Sequence, residues 1–185
     1  MINDVVGDTK SKMSRAIDVL KAEFLKLRTG RASPSILDDI RVEYYGTLVP
    51  LNQVSNLSVP DARLITIQPW EANMVPVIEK AILKSGLGLN PSHDGKVIRL
   101  PIPPLTEERR KELVKYVKKI GEDSKVAIRN VRRDANETCN KLEKSEHVSE
   151  DDLKKGEREI QKLTDDNIKH VDELVALKEK EIMTV

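Results

Sequence analysis

The sequence predicts an α+β protein: an elongated three-helix bundle with a small, β-rich α/β domain inserted at one end, giving an L-like outline. Two observations carry this expectation. Three long stretches repeat apolar residues at helical spacing, and all nine prolines fall between Arg31 and Pro104, where the apolar pattern changes to a period of two. The expected division is residues 1–29 with 105–185 as the bundle and 30–104 as the insertion.

In the first stretch Val6, Met13, Leu20 and Leu27 recur every seven residues, with Ile17 and Phe24 four after Met13 and Leu20. They form one stripe on a helix spanning roughly residues 3–29. Gly30 can take the positive φ that closes a helix, and Pro34 cannot extend one, so the sequence predicts a stop there. The second stripe is Leu113, Val117, Ile120, Ala127, Ile128, Val131, Ala135 and Leu142, on a helix from Thr106 to about Ser145. Thr106 is its natural N-cap, and Glu107 and Glu108 suit the positive end of its dipole. The third uses Leu153, Ile160, Leu163, Val171, Leu174, Leu177 and Ile182, opened by Ser149 with Asp152 three residues on, a variant capping box.

The insertion reads differently. Ile40, Val42 and Tyr44 alternate with Arg41, Glu43 and Tyr45, and Ile65 with Ile67 and Ile98 with Leu100 and Ile102 repeat the alternation of a half-buried strand. Met74, Val77, Ile78, Ala81 and Ile82 follow helical spacing, ended by Gly86. Because this segment leaves the first helix and returns at the second, those helices must run antiparallel, and two linkers form one hinge at Gly30, Arg31, Ala32, Pro103 and Pro104. Three apolar stripes can also be buried by pairing with a second chain as a coiled coil. The short connection between about Ser145 and Ser149 favours folding back within one chain as a monomer.

Charge is balanced overall at +1 but not along the chain. Residues 109–133 hold ten basic and three acidic side chains, whereas 151–185 hold seven and ten. On a helical wheel Lys111, Lys115, Lys118, Lys125, Arg129, Arg132 and Arg133 fall within about 50° of one line, a ridge about 33 Å long with few acids at i+4. Such a ridge suits a polyanion. Arginine forks can pair phosphate oxygens, so Arg129, Arg132 and Arg133 are the better candidates for defined contacts and the lysines for long-range attraction. With no aromatic residue on the ridge, folded RNA read by backbone and shape is the expected target.

Other candidates carry less. His93, His147 and His170 lack ligand-like spacing with Cys139, the single cysteine, so no metal or other cofactor is expected. Trp70 reads as a core or rim anchor of the insertion. Asp151-Asp152 and Asp165-Asp166 read as capping or surface acids, and Gly86-Leu87-Gly88 lacks a phosphate-loop lysine. No nucleophile, acid and base are grouped for catalysis. The start has no basic region followed by an apolar stretch, and no run approaches the ~18 apolar residues of a membrane span, so a cytoplasmic protein with no membrane association is expected.

Leu27-Arg28-Thr29-Gly30-Arg31-Ala32-Ser33-Pro34, Ile102-Pro103-Pro104-Leu105-Thr106-Glu107-Glu108-Arg109-Arg110 and Arg129-Asn130-Val131-Arg132-Arg133-Asp134-Ala135-Asn136 together closely resemble bacterial ribosome recycling factor, over essentially the whole chain. The resemblance implies a non-enzymatic translation factor with a tRNA-like outline. Its partners would be the ribosome, through large-subunit rRNA, and elongation factor G, whose GTP hydrolysis helps to split post-termination ribosomes into subunits. It implies RNA contact at Arg28, Arg31, Arg129, Arg132 and Arg133, beside the ridge lysines Lys118 and Lys125, and rotation of the insertion about the hinge.

Overall fold

The computed structural model describes residues 1–146 and 148–184. The chain divides into two compact units. One contains Met1–Leu27 and Lys111–Lys180; the other contains Arg28–Arg110 and the chain from Glu181 onward.

The first unit is a bundle of three helices: α1 (Ile2–Lys26), α3 (Glu107–Glu146) and α4 (Glu150–Thr184), the latter two entering the second unit at one end. On α1 the buried side chains are Ile2, Thr9, Met13, Ile17, Leu20 and Phe24, spaced by threes, fours and sevens as one buried stripe requires. The helix ends earlier than Gly30 suggests. Leu27 is already extended (φ −75°, ψ 125°), its N–H bonded to the Phe24 carbonyl in a tightened last turn, and Gly30, at φ +76°, bends the linker instead of capping the helix. α3 begins as expected, with the Arg109 N–H donating to Thr106 Oγ1 at 3.2 Å. In α4 the Asp152 N–H donates to Ser149 Oγ at 3.2 Å, while the hydroxyl donates to the Asp152 carboxylate at 2.8 Å.

The α3 face that packs inward holds Leu113, Val117, Ser124, Ile128, Ala135 and Cys139. Ala127 is exposed, contrary to its place in the apolar stripe, because the buried line advances through the small residues Gly121 and Ser124. On α4, Leu177 is likewise exposed and Thr164 is buried, its hydroxyl satisfied by the Ile160 carbonyl at 2.8 Å. The helices approach closely at two glycines: a Cβ on Gly121 would lie 2.5 Å from Val175 Cγ2, and one on Gly156 would collide with Ile2. Ile2 shares a cluster with Ala135, Cys139, Leu153 and Ile160, so the start of α1 lies beside the distal half of α3 and the two run antiparallel. Apart from Ala127 and Leu177, the stripes of the three helices are buried or half-buried within this chain.

The second unit has a hairpin of β1 (Arg41–Tyr44) and β2 (Thr47–Pro50), and a four-stranded antiparallel sheet. The sheet strands are β3 (Ser55–Asp61), β4 (Leu64–Pro69), β5 (Ser92–His93) and β6 (Ile98–Pro101), in the order β3-β4-β6-β5. Helix α2 (Met74–Lys84) buries Met74, Val75, Ile78 and Ile82 in one core with Val42, Ile65, Ile67, Ile98 and Leu100. Val75 takes the inward place expected of Val77, which is exposed, and Gly86 at φ +71° follows the helix end. The hairpin turns at Tyr45-Gly46, both at positive φ; Tyr45 is strained there and tethered through its hydroxyl to Glu71 at 3.2 Å. Of the two places the sequence allows it, Trp70 takes the rim and not the core: it follows the end of β4, is 61% exposed, and its indole N–H donates to Asn56 Oδ1 at 3.2 Å.

Ile128, fully buried on α3, tests the bundle core. Ile128→Ala should lower the unfolding free energy by about 2–5 kcal/mol in a urea titration; a loss well under 1 kcal/mol would show that the bundle is not close-packed there.

Candidate nucleic-acid interface

The cationic ridge is carried by α3, whose 40 residues extend for about 60 Å. Its low count of acids at i+4 is a property of α3 alone, since α4 supplies acids from the side. Lys118 Nζ lies 3.7 Å from Glu179 Oε1. Lys125 Nζ lies 2.7 Å from Asp172 Oδ1 and 2.6 Å from Glu122 Oε1, with only 14% of its side chain exposed. Bonds to Asp172 and then Glu122 hold the Lys125 ammonium above the usual lysine pKa of 10.5. Lys125 is therefore a covered, neutralised cation rather than an open phosphate contact.

The arginines differ. Arg129 and Arg133 have no ion pair among the described residues; Arg133 is exposed and Arg129 half-buried. Arg132, also half-buried, donates from Nη1 to the neutral amide oxygen of Gln161 at 3.4 Å. A planar, permanently charged fork with most of its donors unspent can take two phosphate oxygens, which a lysine held between two carboxylates cannot. Lys111 and Lys115 are exposed on the same helix. The α4 acids were legible only as a bulk charge imbalance between residues 109–133 and 151–185.

Arg28 and Arg31 lie in the second unit, on the linker after α1, and are exposed without an ion pair among the described residues. Gly30 between them is buried, and a Cβ on it would lie 3.0 Å from Leu105 Cγ. Ala32 is anchored in the sheet unit: it is buried in the core and its N–H donates to the Ala62 carbonyl at 2.7 Å. On the return linker the Ile102 N–H donates to the Arg63 carbonyl at 2.8 Å, whereas Pro103 and Pro104 are exposed. Within the same unit Thr29 Oγ1 donates to Glu181 at 3.2 Å and Arg110 to the Met183 carbonyl at 3.0 Å.

Cys139 is fully buried, and burial followed by the nearby Glu157 charge pushes its thiol pKa up, away from nucleophilic use. Among the described residues no group of three or more His, Cys, Asp or Glu side chains is placed to hold a metal ion. His93 faces Glu79 at 3.1 Å and His170 faces Glu173 at 3.8 Å; His147 lies outside the described residues. No helix among the described residues is long and apolar enough to cross a membrane.

A three-helix bundle with an inserted antiparallel sheet unit defines the fold class as α+β. The ribosome recycling factor family model matches residues 20–183, and the chain belongs to that family of translation factors. It is 56% identical over 184 residues to the ribosome-recycling factor of Nitratidesulfovibrio vulgaris (strain DP4), covering 100% of this chain and 99% of that one. It is 54% identical over 185 residues to that of Clostridium perfringens (strain 13 / Type A), covering 100% of both. A solution structure of ribosome recycling factor superposes with a TM-score of 0.76 at 46% identity, covering 100% of this chain and 98% of that one. A second similar structure comes from models of the T. thermophilus ribosome recycling factor and E. coli elongation factor G bound to the E. coli post-termination complex. Its TM-score is 0.65 at 47% identity, with 98% of each chain covered.

The Lys125 arrangement has a pH signature. A lysine whose pKa is raised on folding contributes stability that is fully present below its unfolded value and lost as pH rises through the folded one. Lys125→Met should thus cost up to about 1 kcal/mol near neutrality, with the gap to the unmodified protein closing above about pH 10.5. A gap that persists unchanged in thermal melts at higher pH would assign the loss to packing instead.

Proposed function

We propose that this protein acts in the cytoplasm as a monomer, binding the post-termination ribosome through large-subunit rRNA and, with elongation factor G and GTP, separating the subunits for reuse. The observation that carries this reading is the family match along almost the whole chain, together with a 47% identical homologue placed with elongation factor G on the post-termination complex. The chemistry is mechanical rather than catalytic.

RNA contact is assigned to Arg129, Arg132 and Arg133 on α3, with Arg28 and Arg31 as further contacts from the linker. Lys118 and Lys125, paired with Glu179 and Asp172, contribute to the helix pairing and to the general field. The bundle would hold the ribosome while the inserted domain, residues 30–104, moves as a body when elongation factor G acts on it. Arg31, Pro103 and Pro104 are exposed, and Gly30 has the backbone freedom that a pivot needs, whereas Ala32 moves with the inserted domain because its N–H and side chain are committed there.

Two variants test the two halves of this reading. Arg132→Ala should weaken binding to bacterial large subunits by about 1–3 kcal/mol while the thermal melt is unchanged; full affinity would move the RNA site elsewhere. Gly30→Pro replaces a φ of +76° with one fixed near −65°. With α1 shown intact by circular dichroism, it should leave co-sedimentation with ribosomes within a few-fold of normal and sharply slow the splitting seen by light scattering. Splitting at the normal rate would contradict a mechanism that turns on this linker.

A further inference from the structure

The pairing of α3 with α4 repeats in steps of seven residues. Lys118 meets Glu179, and seven residues along α3 and seven back along α4 Lys125 meets Asp172. Counting one more step of seven along each helix pairs Arg132 with Asp165 in the same numbering. The ladder predicts a third ion pair there, and none forms among the described residues. Gln161, one turn before Asp165, occupies the place instead: its amide nitrogen donates to Asp165 Oδ1 at 2.8 Å, and its amide oxygen accepts from Arg132 Nη1 at 3.4 Å.

We infer that Gln161 is a positioning residue that insulates Arg132 from Asp165, holding the guanidinium in place while leaving its charge available to RNA. The two bonds fix the amide's orientation, because only the nitrogen can donate to the carboxylate and only the oxygen can accept from the arginine. A neutral acceptor steadies the fork with one of its five donors and leaves its charge uncompensated; a carboxylate in the same place would take two donors and the charge. The inference rests on the assignment of Arg132 to RNA contact. It adds that α4 sorts the cations of α3, holding Lys125 between carboxylates, pairing the exposed Lys118 loosely and sparing Arg132.

The test is Gln161→Met, which keeps length and bulk but has neither donor nor acceptor, so that Asp165 is released to pair with Arg132. Binding to purified bacterial large subunits should weaken by roughly three- to tenfold, with the salt slope reduced by about one. Adding Asp165→Asn should restore both, a rescue that mere packing at position 161 would not produce. In the Arg132→Ala background Gln161→Met should have no further effect. Unchanged binding by Gln161→Met, or a loss that Asp165→Asn does not rescue, would overturn the inference if Arg132→Ala itself weakens binding. If Arg132→Ala binds normally, the RNA-contact assignment fails instead, and insulation is then decided by a crystal structure of Gln161→Met. A guanidinium-to-carboxylate distance under about 4 Å between Arg132 and Asp165 upholds it, and an unpaired Arg132 refutes it.

Discussion

Antiparallel packing of α3 on α4 is the constraint on which the rest of the bundle depends. Burial of Ile128, Ile160 and Val171 to zero exposure fixes which faces of the two helices meet. Close approach at Gly121 and Val175 leaves little room for sliding. Once that register is set, side chains at the margins of the seam have no choice of partner. Lys125 falls between Glu122 and Asp172, Lys118 beside Glu179, and Arg132 beside Gln161. The apolar core thereby determines the electrostatics of the surface next to it.

What results is a ridge whose cations are not equivalent. A count of basic residues treats Lys125 and Arg133 alike, but one is mostly covered and held by two carboxylates while the other stands exposed. For a ligand recognised through its phosphates, only charge that is not already compensated within the protein adds counterion release. Such an interface is narrower than the full ridge on α3 and concentrated where arginines replace lysines. The sheet unit has its own core of Val42, Ile65, Ile78 and Leu100.

Much of the fold was legible in the sequence because burial of one helix face imposes a period that apolar residues obey, and a half-buried strand imposes another. Met13, Ile17 and Leu20 on α1, and Ile65 and Ile67 on β4, occupy the buried places that their spacing predicts. The misses have physical causes. Ser124 and Thr164 lie inside because small or locally satisfied hydroxyls fit where helices come close, so hydrophobicity alone passes over them and selects exposed Ala127 and Leu177. The stop of α1 at Leu27 precedes the glycine that marks it. At the candidate site the arginines were legible but their partners were not. The register of two antiparallel helices is a tertiary fact, and no local spacing on α3 reveals that Asp172 or Gln161 lies alongside. The broader function was legible from three motifs through family resemblance.

The most direct measurement is the salt dependence of binding to purified bacterial large subunits for two charge-matched variants, Lys118→Ala with Lys125→Ala against Arg129→Ala with Arg132→Ala. Sorting of the ridge by α4 predicts that loss of the lysines lowers the slope of log affinity against log salt by clearly less than loss of the arginines, which lowers it by about two. Equal reductions for the two pairs would contradict it, since the helix seam would then have no influence on which cations the RNA meets.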